Sequence, residues 1–387
     1  MRITFVFASW SPTPSGGYRV IYKYAKILGD RGHEVFVIHP LWILPKQSGL
    51  TGKLKEVTRW VKHSRSRNYN QFFWIKIFVR LRSFFKLILL RKDKNSWNGI
   101  LLGQGIQTRI VPTLAEKHIP RADAIFATDL RTAKWVADYG LDRGEKYYSI
   151  QNFERWSAPE EDRLSTWKLP LKKIVVSKRL KEELSNLGEK IYGYIPNAID
   201  FKEFYLKEPI ETRNPKRIGM LYHFSPSKGS QDGIKAVRIV KTQYPELEVV
   251  FFSAYKYNKK VIPPWVEFHH TPSQEEILEI YNACSIFVSP SWSEAWCLSS
   301  AEAMACGCAL VSTKGGSVEE YAIDGETALI SEDHDPLGLA ENIVRLIENQ
   351  TLRIRLAIQG NNLIRQFTWE KSVAELERVL LNKNYTH

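Results

Sequence analysis

The chain alternates short, apolar, β-rich runs with helical stretches, and this alternation limits its fold more than any other feature. Residues 3–8 (ITFVFA) are a first β-rich run. Two prolines and Gly16-Gly17 follow, then a helical pattern, YRVIYKYAKILGDRG, in which Val20, Tyr24 and Leu28 recur on one face. Gly32 ends that pattern, and EVFVIHP is a second strand. Strand, glycine-containing turn, helix, strand is a βαβ unit, so the strands of this sheet should be parallel. The rhythm resumes with AIFAT (124–128), KYYSI (146–150) and KKIVVS (172–177). Residues 195–217 are polar, hold three prolines and lack periodicity, which marks a linker. A second series follows: IGMLYHF, a helix over 230–243, VVFFSA, a helix near 274–283, SIFVSPS, a helix over 298–306 and ALVST.

A chain of 387 residues is too long for one ordinary α/β core and suits two. The expected fold class is α/β: two Rossmann-like, doubly wound domains facing across a crevice. The domains expected are 1–205, with an insertion at 41–98, and 206–370. A last helix, 371–387, would pack back on the N-terminal domain. In such sheets, ligands bind beyond the carboxyl ends of the strands.

Charge is concentrated in one place. Residues 46–94 hold fourteen Lys or Arg against Glu56 and Asp93, a net +12 of the chain's +13. The rest is near-neutral, so a negatively charged partner should meet this segment. Within it, QFFWIKIFVRLRSFFKLILL (71–90) puts Phe73, Phe84, Ile77, Ile88 and Leu81 on one helical face, with Lys76, Arg80, Arg82 and Lys86 opposite. That is the pattern of a helix lying in an anionic membrane surface, and four cations within twenty residues argue against a membrane span. The same face would also suit packing onto a soluble domain. The start, MRITFVFASWSP, lacks the features of a secretory signal. Cys284, Cys297, Cys306 and Cys308 show no zinc spacing and fit reduced thiols. A cytoplasmic protein, peripherally associated with the inner face of the membrane, is expected.

The most informative stretch is SPSWSEAWCLSSAEAMACGCALVSTKGGSVEEYAIDGETALI, residues 289–330. Two glutamates eight apart, Glu294 and Glu302, precede and enter a helix. The strand ALVST, the Gly315–Glu319 loop and YAIDGETALI follow. With Gly16-Gly17, VSKRL, PNAID (196–200), Ser227-Lys228-Gly229 and FTWE (367–370), this ordered set resembles glycosyltransferase family 4, a retaining family of GT-B fold. The resemblance spans nearly the whole chain and is dense in the last third. It implies a hexosyl transfer from a nucleotide-diphosphate sugar to a hydroxyl of a glycan or lipid-linked acceptor, in surface polysaccharide or glycolipid assembly. It assigns Glu302 to the donor ribose and Glu294 to the donor sugar.

Physical chemistry agrees with the donor. One carboxylate suits two vicinal ribose hydroxyls. A pyrophosphate suits the N-terminus of a helix, which Trp296, Cys297 and Leu298 begin. Taken alone, Ser299-x-x-Glu302 also fits a capping box, which would make Glu302 structural. In the family an Arg and a Lys five apart reach the pyrophosphate. Lys228 matches the Lys, but His223 stands at the Arg position. Either His223 is protonated beside phosphate, or Lys228 and the helix terminus suffice. Ala295 and Cys297 stand where the family often has glycine.

Gly16 and Gly17 could bring amides to a phosphate or form a tight turn alone. Arg19 is a candidate anion contact, and Gln151 and Asn152 are candidate acceptor contacts. Asp333-His334-Asp335 and Gly103-x-Gly105 lack the context of a metal site or a dinucleotide fingerprint. No metal, no other cofactor and no nucleic acid are expected. The alternatives are a sugar-nucleotide epimerase on the same fold, or a non-enzymatic nucleic-acid or membrane-binding protein with a degenerate site.

Overall fold

The computed structural model describes residues 1–9, 16–41, 43, 96–97, 100–101, 105–153, 159–255, 257, 261–316 and 319–381. The basic segment 46–94 and its amphipathic stretch lie outside the described residues, as does Gly103. Two compact units emerge: Met1–Tyr148 with Leu169–Leu171, and Ser149–Lys168 with Lys172–His387.

The first unit holds β1 (Arg2–Val6), β2 (Glu34–Pro40), a short hairpin of β3 (Ser96–Trp97) and β4 (Ile100–Leu101), β5 (Ile106–Val111), β6 (Ala124–Ala127) and most of β7 (Glu145–Ile150). Its strands follow one another in the order β5-β2-β1-β6-β7, every pair parallel. Helix α1 (Gly16–Asp30) crosses from β1 to β2, and Val20, Tyr24 and Leu28 are buried as their spacing predicts. Gly32 takes a left-handed φ of 89° in the turn that follows. Phe5, Phe126 and Tyr147 stack across β1, β6 and β7 with ring centroids 4.9 Å apart. Helix α2 (Leu130–Val136) starts at Asp129, whose carboxylate accepts from Arg131 N–H while Thr132 reaches back.

The second unit opens with α3 (Glu160–Trp167), β8 (Lys172–Val175), α4 (Lys178–Asn186) and β9 (Ile191–Tyr194), β8 and β9 being parallel. Ser177 caps α4, so the VSKRL motif is a strand end followed by a helix start. A six-stranded sheet follows in the order β12-β11-β10-β13-β14-β15. Its strands are β10 (Arg217–Leu221), β11 (Glu248–Ser253), β12 (Glu267–His270), β13 (Ile286–Ser289), β14 (Ala309–Thr313) and β15 (Ala328–Ser331). The helices of this half are α5 (Ser230–Gln243), α6 (Gln274–Ala283), α7 (Leu298–Ala305), α8 (Pro336–Glu348), α9 (Gln350–Ile364) and α10 (Trp369–Leu381). Ile218, Val237, Phe251, Val288, Val311 and Leu339 belong to the core between sheet and helices.

The stretch 195–217 is irregular, as its composition predicts, yet Ile195, Ala198, Ile199 and Phe204 are buried. These side chains belong to the second compact unit, which begins at Ser149. Helix α10 packs on β9: Val379 lies 3.1 Å from where a Cβ on Gly193 would sit, and Ser372 Oγ donates to Pro196 O at 2.8 Å. All four cysteines are free and buried. Among the described residues, no helix is long and apolar enough to cross a membrane.

Candidate functional site

In the second sheet, β10, β11 and β12 progress one way and β13, β14 and β15 the other. The order reverses between β10 and β13, and ligands of open α/β sheets bind at the carboxyl end of such a reversal. The loop after β10 carries His223 and Lys228; the loop after β13 carries Glu294, Trp296 and Cys297. Residues 66 positions apart are thus brought together by strand order.

The two loops are fastened to each other through their backbones. Trp292 N–H donates to Ser227 O at 3.0 Å, and Ser291 Oγ to Lys228 O at 3.4 Å. Gly229 has φ 60°, and a Cβ there would lie 1.8 Å from Pro290 O, so only glycine fits. The Gly315-Gly316 loop supports the other side. Glu294 N–H donates to Gly315 O at 3.0 Å, and Gly315 N–H donates to Asp333 Oδ1 at 2.7 Å.

This scaffold places Lys228 Nζ 2.5 Å from Glu294 Oε1. Glu294 is 6% exposed and Lys228 31%. Burial by itself would lower the pKa of the Lys228 ammonium; the adjacent carboxylate outweighs it and holds the pKa above its ordinary value. Both side chains line a small recess with Ser289, Ser291 and Ser299. Ser299 is the second residue of α7, so the recess opens onto that helix's N-terminal end.

Helix α7 begins at Leu298 with Cys297 as its N-cap, and among the described residues no side chain caps its first amides. These amides are the donors an anion could use. Glu302 sits in the fifth position, 8% exposed, with Tyr281 Oη donating to its Oε2 at 3.1 Å. The capping-box alternative fails here: Ser299 lies inside the helix and not at the cap, so the S-x-x-E match is coincidental. Trp296 is buried edge-on against Tyr321 and Phe367, and its indole Nε1–H has no partner among the described residues. Cys297 is also buried, its sulfur near Ser289 and Ser300 hydroxyls, as expected of a small packing residue.

The far end of α7 is held by side chains from two other elements. Asn361 Nδ2 donates to Met304 O and Ala305 O at 3.0 and 2.7 Å. The buried Arg213 guanidinium donates to Cys306 O at 2.7 Å and to Glu208 O, Cys284 O and Asn282 Oδ1. Sequence reasoning missed Arg213 because it lies in the polar 195–217 stretch. It also missed Glu320, a buried carboxylate beside the glycine loop that accepts from Lys178 N–H at 2.6 Å and Tyr194 Oη at 2.9 Å.

His223 accepts a hydrogen bond at Nδ1 from Ser225 N–H, 2.9 Å. Burial, then the Lys228 charge, push its imidazole down to about 4, so the ring is neutral near neutral pH. The remaining candidates belong to other elements. Gly16 and Gly17 are exposed and are the first residues of α1, with Arg19 partly buried one turn in. Gln151 and Asn152 follow β7, both partly buried, and Gln151 Oε1 has no partner among the described residues. Asp333 and Asp335 hold Gly315 N–H and Gly338 N–H respectively, which accounts for both acids of the D-H-D triplet.

Comparison with known proteins bears on the same loops. Residues 201–363 match the family described as glycosyl transferases group 1. That stretch contains β10–β15, Lys228, Glu294 and Glu302. An uncharacterized glycosyltransferase of Methanocaldococcus jannaschii is 34% identical over 114 residues, 30% of this chain and 32% of that protein. A D-inositol 3-phosphate glycosyltransferase of Corynebacterium diphtheriae is 28% identical over 114 residues, 30% of this chain and 27% of that protein. The chain thus spans about a third or less of the length of these two relatives. Among solved structures, Anabaena HepE in complex with UDP-glucose superposes with a TM-score of 0.69 at 16% identity, covering 98% of this chain and 99% of that one. S. aureus TarM gives 0.67 at 13%, with the same coverage. At these identities the likeness shows the fold, and the fold is GT-B. In this GT-B chain, the Lys228–Glu294 pair and the open end of α7 lie wholly within the stretch matched to group 1.

Proposed function

We propose that this protein is a hexosyltransferase, moving a sugar from a nucleoside diphosphate to a hydroxyl of a glycan or lipid-linked acceptor with retention at the anomeric carbon. The observation that carries the reading is a cation–carboxylate pair, Lys228–Glu294, beside the uncapped N-terminus of α7. A diphosphate needs positive potential, which the ammonium and the helix amides supply without a metal ion. The donor sugar offers hydroxyls, which Glu294 can accept. Glu302, inside α7, is suited to the two ribose hydroxyls, and Tyr281 orients it.

In the step proposed, the bond from the anomeric carbon to the diphosphate oxygen breaks and a bond to the acceptor oxygen forms on the same face. The acceptor proton passes to the departing phosphate oxygen, so no side-chain base is required. Lys228 and the amides of Leu298 and Ser299 stabilise the charge that develops on the diphosphate. The names of the relatives support glycosyl transfer, and the UDP-glucose bound by Anabaena HepE makes uridine donors the first to try. The +12 charge of residues 46–94 favours an acceptor presented at an anionic membrane surface. The test is thermal stabilisation by a panel of sugar nucleotides, followed by product analysis with acceptor present and absent. Interconversion of the donor sugar without acceptor would favour an epimerase, and no stabilisation by any nucleotide would defeat the proposal.

A further inference from the structure

The histidine in the loop after β10 is held in one chemical form by its surroundings. Ser225 N–H donates to Nδ1 at 2.9 Å, so Nδ1 is the bare nitrogen and Nε2 carries the hydrogen. His223 N–H in turn donates to Ser230 Oγ at 2.9 Å, which fixes the backbone at the entry to α5. The ring stacks on Phe224, centroids 4.7 Å apart, and meets Tyr255 edge-on at 4.9 Å. Phe224 and Tyr255 also pack edge-on with each other, so both aromatics restrict the ring plane. Among the described residues, Nε2–H has no protein partner and is the one polar edge of the ring left for a ligand.

The charged and titratable groups around the ring are Lys228 from the same loop, Tyr255 from the loop after β11, and Glu294, paired to Lys228, from the loop after β13. The near charge is positive, and it opposes a second cation. A proton on Nδ1 would also set N–H against Ser225 N–H and forfeit that bond, leaving a partly buried amide unpaired. Protonation therefore meets two separate costs, only the first of which an arriving phosphate relieves.

We propose that His223 contacts the donor diphosphate as a neutral hydrogen-bond donor through Nε2–H, its tautomer locked by the Ser225 amide. The contact then carries no charge, leaves cationic stabilisation to Lys228, and does not titrate near neutral pH. This rests on the glycosyltransferase reading above.

Nitrogen-15 imidazole spectra of the full chain, with and without UDP, from about pH 5 to about pH 8, test it. His223→Ala assigns the signal. The Nε2–H tautomer is expected in both states, without titration, and with a shift of Nε2 on UDP binding. His223→Gln, whose amide N–H₂ can reach the Nε2 position, should keep UDP affinity within ~3-fold, while His223→Ala loses ~10-fold, as for a hydrogen bond to a charged group. A His223 protonated at Nδ1 in the complex, or a His223→Ala variant with wild-type affinity, would overturn this inference alone. A wild-type chain that binds neither UDP, GDP nor inorganic pyrophosphate would overturn the functional reading and this inference with it.

Discussion

Lys228 and Glu294 neutralise each other, Nζ to Oε1 at 2.5 Å, although each is proposed to meet a different part of the donor. The pair keeps a nearly buried carboxylate compensated until a ligand arrives. A diphosphate that takes over the ammonium frees the Glu294 oxygens for sugar hydroxyls, so the two contacts should form together.

The pair should respond asymmetrically to substitution. Lys228→Ala leaves a carboxylate that is 6% exposed without its cation, whereas Glu294→Gln leaves a lysine that still reaches water. We expect Lys228→Ala to cost roughly 1–3 kcal/mol in urea unfolding and Glu294→Gln less. Both should lower kcat, Lys228→Ala by ~10²-fold. Turnover should survive EDTA, since the neutralising charge is a side chain; activity lost to chelator and restored by Mg²⁺ would contradict this.

Glu302→Gln should raise the donor KM or abolish turnover with little change in melting temperature. The amide oxygen can still accept from Tyr281, and no helix cap is lost. A variant that is fully active but less stable would return Glu302 to a structural role. Tyr281→Phe, which removes the hydroxyl that orients the carboxylate, should raise KM more than it lowers kcat.

Two glycines with left-handed φ give a paired test. Gly229→Ala would drive a Cβ into Pro290 O, whereas a Cβ at Gly325, φ 73°, would meet nothing within 4 Å. Gly325→Ala should cost ~1–2 kcal/mol, the backbone strain alone. Gly229→Ala should cost more than ~3 kcal/mol or force the two donor loops apart, which would be seen as loss of stabilisation by sugar nucleotides.

Acid should destabilise the first unit through His39. This ring is fully buried, bonded to Tyr22 Oη and Ser9 O, and burial lowers its pKa from 6.5 to about 4. Between those values the unfolded chain binds a proton that the folded chain refuses. Stability should therefore fall as pH drops from 6.5 towards 4 and be independent of His39 above that window. Urea midpoints at several pH values should show a shallower acid-side decline in His39→Gln, with a residual slope because His223 shifts in the same direction.

For residues 46–94 the measurement is liposome co-sedimentation. Binding should appear with anionic vesicles, weaken in high salt and fall when Arg80, Arg82 and Lys86 are replaced by Glu. Equal binding to neutral and anionic vesicles would remove the electrostatic reading.

Elements with strong local signals were legible in the sequence. The helices at 230–243 and 274–283 and the strand EVFVIHP fall where apolar period, caps and glycines put them, because those are short-range effects. The residues of the donor loops were legible as a motif, but their contact was not. The pairing of Lys228 with Glu294 follows from β13 lying beside β10, a fact of strand order that no local pattern carries. Ser299-x-x-Glu302 is the opposite case: the local pattern is present, but the N-cap of α7 is Cys297, two residues before Ser299. Arg213 was hidden because a buried cation satisfied by carbonyl oxygens looks, in sequence, like any exposed loop arginine.

Arg213 changes what can be done with this protein by engineering. The stretch 195–217 has the composition of a spacer, which would ordinarily tolerate insertion or exchange. Its arginine, however, anchors the closed end of the same helix whose open end faces the proposed phosphate. A chimera that joins a foreign N-terminal half within Glu208–Arg213 would loosen that anchorage and slacken the donor site from behind. Grafts that keep Glu208–Arg213 with the C-terminal segment should retain nucleotide binding, and those that exchange it should lose it even with every donor-facing residue intact.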